Sequence, residues 1–194
     1  QTAPNPFEFA EDRGDASKLV VVQGVSKMYA MTGFRIGWAL ANREVSEAMM
    51  NIQSHQTSGP VTVSQWAAIG ALSGAQTSIE TLRLTLENAR NVMVDRLQTI
   101  PGLHVTRPHG TFYCFPDFSA LGKSSLALAE FLLDKVRVVV VPGKEFGMEG
   151  HLRLSYCGSI KEIMEGLERI KWALDPNAPN EIFIADRRLV RDWA

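Results

Sequence analysis

A lysine and an arginine stand eight residues apart between two apolar runs of the sequence. Lys27 follows the run Leu-Val-Val-Val at residues 19–22, and Arg35 opens the run Arg-Ile-Gly-Trp-Ala-Leu at residues 35–40. A lysine amine can bond to a carbonyl carbon, whereas an arginine is a fixed cation suited to a phosphate or a carboxylate. Because ligands of open α/β sheets bind where strands end, the loop between these runs is the first candidate site.

A second arginine lies inside an apolar strand pattern at residues 151–156, His-Leu-Arg-Leu-Ser-Tyr. Strand alternation places the two leucines and the tyrosine on one face, and Arg153 with Ser155 on the other. An arginine in such a strand needs an anionic partner or a path to water. Arg153 is therefore the second candidate for binding an anionic group.

Residues 26–38 read Ser-Lys-Met-Tyr-Ala-Met-Thr-Gly-Phe-Arg-Ile-Gly-Trp. This stretch closely resembles the lysine motif of the class I and II aminotransferases, which are fold-type I enzymes dependent on pyridoxal 5'-phosphate (PLP). The resemblance implies that Lys27 is the catalytic lysine, which carries the cofactor covalently, and that Arg35 binds the cofactor phosphate. Some family members have a phosphate-binding serine three residues before the lysine, where this sequence has Gly24. Ser26 is a possible substitute for that serine in cofactor binding.

Three further stretches resemble the same family. Residues 109–113, His-Gly-Thr-Phe-Tyr, are similar to a segment near the substrate entrance, and residues 140–147, Val-Val-Pro-Gly-Lys-Glu-Phe-Gly, are similar to a turn of these enzymes. Residues 153–156, Arg-Leu-Ser-Tyr, resemble the pattern whose arginine forms a bidentate pair with the substrate α-carboxylate. A guanidinium fork suits that geometry. The resemblance therefore implies that Arg153 binds the substrate.

The resemblance also implies an α/β fold, in which the end of the large-domain sheet of a fold-type I PLP enzyme precedes a small α+β domain. We expect residues 1–76 to belong to the PLP-binding large domain, residues 77–100 to form an interdomain helix, and residues 101–175 to form the small domain. Residues 176–194 extend past the usual end of the family, and their role stays open. The run at 19–22 predicts a strand buried on both faces, as in a parallel sheet.

Hydrophobic periodicity places the first helices. Asn42 is a candidate N-cap of a helix that reaches residue 52, and the polar stretch at residues 54–60 predicts a break after it. Pro60 suits the first turn of the following helix. One side of that helix is expected to be buried, and it consists of Val63, Trp66, Ala67 and Ile69.

The later elements carry clearer signals. Residues 77–100 form the longest helical pattern, and Ser159 with Glu162 predicts a capping box at the start of the last helix. A helix over residues 124–135 is expected to bury one side, which consists of Leu126, Ala129, Leu133 and Val136. Short strands are predicted at residues 103–105, 111–116 and 138–141.

Composition excludes several classes of protein. Of the 194 residues 45% are hydrophobic and 21% charged, an ordinary globular composition, and the net charge of −1 gives no reason to expect nucleic acid or an anionic membrane as a partner. No apolar run approaches the roughly 20 residues that span a bilayer. Two cysteines, Cys114 and Cys157, form no pattern of a metal site or disulfide framework, so we expect no metal and a reduced, cytoplasmic setting.

Subunits of the family are longer than this sequence, which resembles their C-terminal half. The expected partners are the N-terminal half of the same subunit, which would supply the contacts to the pyridine ring, and a second copy in a homodimer. The implied substrates are an α-amino acid and a 2-oxo acid, and the lysine motif favours the aspartate, prephenate or aromatic enzymes. Two alternatives stay open. One is another fold-type I PLP enzyme, such as a carbon–sulfur lyase or an aminocyclopropane-carboxylate synthase, and the other is the aminotransferase-like sensor domain of a transcription regulator.

Overall fold

The computed structural model describes residues 3–12 and 14–193. The chain divides into two compact units, Gln1–Leu82 and Arg83–Ala194, and the division falls within one helix, α3 (Thr77–Leu97). None of the helices in the described ranges is both long enough and apolar enough to cross a bilayer.

The first unit contains a pair of antiparallel strands, β1 (Val21–Gly24) and β2 (Gly37–Leu40). The prediction that the first strand is buried on both faces of a parallel sheet is wrong for this unit. Strand β1 pairs with β2 in a two-stranded antiparallel sheet, and the residue Val22 is 75% exposed. A run of β-branched residues favours a strand, but it does not say which strands or helices lie beside it. Within the described unit β1 has one neighbouring strand.

Two helices follow the sheet, α1 (Arg43–Thr57) and α2 (Thr62–Ser73). Asn42 caps α1 as expected, since its side-chain oxygen accepts a hydrogen bond of 2.9 Å from the backbone N–H of Val45. The break predicted from residue 54 is wrong in its position, because α1 continues through Thr57 and ends at Ser58, whose φ is 62°. The polar side chains of residues 54–57 are compatible with a helix, and the helix ends where the backbone φ becomes positive, at Ser58.

The inward face of α2 also differs from the prediction. Ser64 and Ala68 are buried, whereas Val63, Trp66 and Ile69 are exposed. Ala68 packs in a small cluster with residues of the lysine loop described below, and such a close approach favours a small side chain. Pro60 likewise lies outside α2, ahead of the N-cap Val61.

The second unit carries three short antiparallel strands, with β5 (Leu152–Ser155) between β3 (Tyr113–Cys114) and β4 (Val141–Pro142). These strands are shorter than the predicted ones, and residues 103–105 contribute only a single bridge, between His104 and Asp117. The sheet packs with the end of α3 and with two further helices. These are α4 (Ser125–Val136) and α5 (Ile160–Leu174).

The core of this unit is formed by apolar residues of all these elements. Strand alternation is confirmed in β5, because Leu152, Leu154 and the following Tyr156 are buried. Helix α3 ends at Leu97, three residues before the predicted end. The fully buried members include Leu97, Phe118, Leu128, Leu132, Val136, Leu152 and Ile170.

The buried side of α4 is only partly the predicted one. Ala129 and Val136 are buried as expected, but Leu126 and Leu133 are exposed, and Leu128 and Leu132 take their places. Helix α4 is apolar around most of its circumference, so periodicity does not select one side.

This difference has a measurable consequence. Leu132→Ala is expected to lower the free energy of unfolding by about 2–5 kcal/mol, because it leaves a cavity in the core. Leu133→Ala, one residue further, is the matched control and should cost much less, since that side chain is 48% exposed. Urea denaturation of both variants checks the ranking, and equal destabilisation would contradict the packing of α4.

The last helix begins with the predicted capping box, in which Ser159 and Glu162 exchange side-chain and backbone hydrogen bonds. Beyond α5 the chain forms a hairpin of β6 (Glu181–Ile184) and β7 (Arg187–Val190). The hairpin packs on the core of its own unit, where the Trp172 indole N–H donates a hydrogen bond of 2.8 Å to the carbonyl of Pro179.

Candidate active site

The loop between β1 and β2, residues 25–36, carries the candidate lysine and is named the lysine loop. Gly24 and Gly37 stand opposite each other in the register of the two strands and close the base of the loop. Lys27 lies three residues after the first glycine, and Arg35 two residues before the second. The hairpin therefore holds an amine and a guanidinium on a single closed loop.

Two buried side chains anchor the lysine loop. Val25 is fully buried and Ile36 nearly so, and both pack with Ala68 of α2. Between these anchors the backbone N–H of Ala30 donates to the carbonyl of Lys27 at 3.2 Å, and Ala30 has a φ of 53°. The turn presents the Lys27 side chain on the exposed surface of the unit.

Arg35 closes the other side of the loop. Its φ is 52° and its ψ 47°, a left-handed conformation that is uncommon for a residue with a Cβ. Its Nη1 donates a hydrogen bond of 2.9 Å to the carbonyl of Thr32. In the described parts of the chain this is the one hydrogen bond of the Arg35 side chain, so most of its five N–H groups are available to an anion.

A contact that the sequence did not reveal joins the lysine loop to the start of α3. The Tyr29 hydroxyl donates a hydrogen bond of 2.9 Å to Oε1 of Gln76. The amide nitrogen of Gln76 in turn donates to the carbonyls of Ala71 and Gly74, at 3.1 and 2.7 Å. Tyr29 and Gln76 are 47 residues apart in sequence, and no local sequence pattern predicts a contact between them.

The two glycines at the base of the loop differ in the room they leave. A Cβ at residue 37 would lie 2.8 Å from the carbonyl oxygen of Gln23, closer than atoms approach without a backbone shift. A Cβ at residue 24 would lie 3.2 Å from the carbonyl oxygen of Ile36, which a smaller adjustment relieves.

Ser26 is half-buried beside Val25, and its role in cofactor binding stays a prediction.

We therefore expect Gly37→Ala to be the more damaging of two matched substitutions. It should lower the free energy of unfolding by about 1–3 kcal/mol, because the added methyl group forces the strands apart at the base of the loop. Gly24→Ala should cost less. Urea denaturation of both variants tests this, and the reverse ranking would contradict the register of β1 and β2.

The remaining candidate residue, Arg153, lies on β5 in the second unit. Its side chain is half-buried, with the guanidinium carbon 4.3 Å from the ring centroid of Tyr113 and 4.7 Å from that of Phe146. Among the residues that the structure describes, no carboxylate lies within salt-bridge distance of Arg153. The structure thus places Ser26, Lys27 and Arg35 on one loop of the first unit, and Arg153 on a strand of the second.

Other titratable groups near β5 are structural. Burial raises the pKa of the Cys114 thiol to about 11, so this cysteine is a neutral core residue at neutral pH. Burial also raises the pKa of Tyr156, whose hydroxyl donates a hydrogen bond of 3.0 Å to the carbonyl of Thr111. Within residues 3–12 and 14–193 no group of histidine, cysteine or acidic side chains could hold a metal ion.

Comparisons with known proteins agree with these features. Residues 3–170 match the family described as aminotransferase class I and II. The aspartate aminotransferase of Bacillus sp. (strain YM-2) is 42% identical over 159 residues, which are 79% of this chain and 41% of the relative. The probable aspartate/prephenate aminotransferase of Aquifex aeolicus is 40% identical over 159 residues, which are 79% of this chain and 40% of the relative.

A solved structure gives the same result. The aromatic aminotransferase of Pyrococcus horikoshii OT3 superposes with a TM-score of 0.76 at 35% identity, over 78% of this chain and 41% of that chain. The fold-type I architecture expected from the lysine motif is thereby confirmed. The chain spans about two fifths of the length of these relatives. Since the match from residue 3 to residue 170 contains the lysine loop, β5 and most of α5, the chain belongs to the PLP-dependent class I and II aminotransferases.

Proposed function

We propose that the full-length protein containing this sequence is a PLP-dependent aminotransferase that moves an amino group between an α-amino acid and a 2-oxo acid. The observation that carries the proposal is the family match over residues 3–170, which covers both the lysine loop and Arg153. The two relatives named above are an aspartate and a probable aspartate/prephenate aminotransferase, so an aspartate- or prephenate-type substrate is favoured.

The donor groups of the lysine loop fit PLP. The cofactor offers an aldehyde and a phosphate, and the loop offers the amine of Lys27 and the largely unused N–H groups of Arg35. In this proposal Lys27 Nζ holds the cofactor through its aldehyde carbon, and Arg35 holds the phosphate. Both side chains belong to a loop whose two ends, Val25 and Ile36, are buried against Ala68.

The remaining roles concern the substrate. When bound, PLP supplies the electron sink that lets a bond to the substrate Cα break. The amine of Lys27 would hold the cofactor before the substrate binds, and it would then act as the general base that accepts the proton from the substrate Cα. Arg153 would bind the substrate α-carboxylate with two parallel hydrogen bonds, which fixes the carboxylate end of the substrate. Ser26 is a further candidate for the phosphate.

The test is a half-reaction with the purified full-length protein. The visible absorbance of the bound cofactor should fall when aspartate or glutamate is added, and it should return when 2-oxoglutarate is added. A transaminase requires both steps, whereas a lyase releases its product without needing a 2-oxo acid. If no amino acid changes the absorbance, yet cystathionine or S-adenosylmethionine is consumed, the transaminase proposal is wrong and the family assignment stands.

The working unit is proposed to be a homodimer. Apolar side chains of α1 and α2 in the first unit are exposed, including Met50, Ile52, Trp66 and Ile69, and such faces commonly mark interfaces. Light scattering of the full-length protein should give the mass of a dimer, and an active monomer would overturn this.

A reducing, cytoplasmic setting is also proposed. It is consistent with Cys114 and Cys157 both being free thiols, and localisation by a fluorescent fusion tests it.

A further inference from the structure

Two aromatic rings reach the Arg153 guanidinium from different elements. Tyr113 lies on β3 and Phe146 in the turn after β4, and these strands flank β5 on opposite sides. The guanidinium carbon lies over both rings, at 4.3 and 4.7 Å from their centroids. Both distances are within the range of cation–π attraction.

Aromatic rings differ from acidic side chains as neighbours of a guanidinium, because they attract the cation through their faces and leave its in-plane N–H groups available. An acidic side chain would occupy the fork that a carboxylate ligand needs, and none in the described ranges does so. The side chain of Arg153 makes no hydrogen bond to another described residue. The two rings therefore hold the cation while its N–H groups stay available.

Both rings are themselves held in place. The backbone N–H of Tyr113 donates to the Thr111 hydroxyl at 3.0 Å, and the carbonyl of Thr111 accepts the hydrogen bond of the buried Tyr156 hydroxyl. Phe146 packs edge to face against Phe115, with ring centroids 5.9 Å apart. Its turn is tied to the residue just before β5, because the Gly143 N–H donates a hydrogen bond of 2.7 Å to the carbonyl of His151.

We propose that Tyr113 and Phe146 form an aromatic clamp that positions the Arg153 guanidinium for in-plane, bidentate binding of the substrate carboxylate. This inference rests on the proposed function of Arg153 and adds two positioning residues to it. The clamp restricts the rotation of a long side chain before the substrate arrives. Less conformational freedom is then lost on binding, and the carboxylate meets a preformed fork.

The test measures binding of maleate, an unreactive dicarboxylate, to the full-length PLP-loaded protein by calorimetry. Phe146→Leu and Tyr113→Leu should each raise the Kd about two- to fivefold, the range of a cation–π contact at a partly exposed site. Phe146→Tyr and Tyr113→Phe keep a ring and should stay within about twofold of wild type. Phe183→Leu is the matched control, the same substitution at an exposed phenylalanine of β6.

A purely structural role is separated by a double-mutant cycle with Arg153→Met, read as kcat/KM of the aspartate half-reaction. If the rings act through the guanidinium, Phe146→Leu should lower kcat/KM in the wild-type background and change it less than twofold once Arg153 is replaced, since coupled residues give non-additive effects. The visible absorbance of the bound cofactor should be unchanged in every variant. Equal losses in both backgrounds would overturn the clamp.

The outcomes distinguish the clamp from the function on which it rests. If Arg153→Met weakens maleate binding and the leucine variants do not, the clamp is wrong and Arg153 keeps its proposed role. If Arg153→Met leaves maleate binding and kcat/KM unchanged, the proposed role of Arg153 fails and the clamp fails with it. Thermal unfolding of each leucine variant close to that of Phe183→Leu shows that the change in Kd comes from the site.

Discussion

Replacement of Lys27 by alanine in the full-length protein is expected to lower the rate of transamination by about 10⁴-fold. General acid–base proton transfer by a positioned side chain contributes about 10²–10⁴-fold, and Lys27 is proposed both to hold the cofactor and to move the proton. The fold of the first unit should survive the change, because the Lys27 side chain is exposed and the loop is anchored by Val25 and Ile36. Steady-state kinetics with aspartate and 2-oxoglutarate measure the loss.

Chemical trapping tests the same residue independently of turnover. Borohydride reduction of the wild-type protein should fix the cofactor to the peptide that contains Lys27, and the alanine variant should not be labelled. Lys18→Ala is the matched control, since Lys18 is an exposed lysine close to the same strand, and it should keep both labelling and activity. Labelling at Lys18 or Lys144 in the wild type would refute the assignment.

The local features of the lysine loop could be predicted from the sequence because they depend on neighbouring residues. The strand before Lys27, the strand after Arg35 and the cap at Asn42 each arise from a few adjacent residues, and the structure contains all three. The capping box of Ser159 and Glu162 was predictable for the same reason. A short pattern determines such elements whatever packs against them.

Burial was harder to predict, because it depends on partners that a single sequence does not identify. The apolar side of α2 carries Trp66 and Ile69, yet the buried side carries Ser64 and Ala68. In β1 a run of β-branched residues indicated burial on both faces, but Val22 is exposed in a two-stranded sheet. Periodicity reports which residues are apolar, and only the packed elements decide which of them are covered.

In the candidate site, too, local motifs could be predicted from the sequence and contacts between separate elements could not. Lys27, Arg35 and Arg153 were recognisable from their motifs, whereas the contacts that position them were not. The hydrogen bond between Tyr29 and Gln76 and the approach of Phe146 to Arg153 join residues from separate elements. The sequence signal for Phe146 was its place in residues 140–147, which pointed to a turn and not to a ring beside the arginine.

Replacement of the two candidate arginines should produce different defects, one in cofactor binding and one in use of the substrate, because they are assigned to different ligands. Arg35→Ala should raise the Kd of PLP about 10- to 150-fold, the effect of losing hydrogen bonds to a charged group worth about 1.5–3 kcal/mol. Arg153→Ala should retain the cofactor and lower kcat/KM for aspartate by a similar factor. Cofactor retention after dialysis and half-reaction kinetics measure the two effects separately.

The Arg35 change is informative because alanine keeps a Cβ at a residue whose φ is 52°, so the backbone strain is the same before and after the substitution. The bond to the carbonyl of Thr32 is lost as well, but it is exposed and contributes little beside a charged contact with phosphate. Arg187→Ala, an exposed arginine at the start of β7, is the control for loss of one positive charge and should leave both measurements unchanged. Arg153→Lys adds a test of geometry, since an ammonium supplies the charge without the fork and should recover only part of the loss. Equal loss of cofactor in the Arg35 and Arg153 variants would show that the two roles are wrongly divided, because a residue that binds only the substrate carboxylate has no effect on an enzyme without substrate.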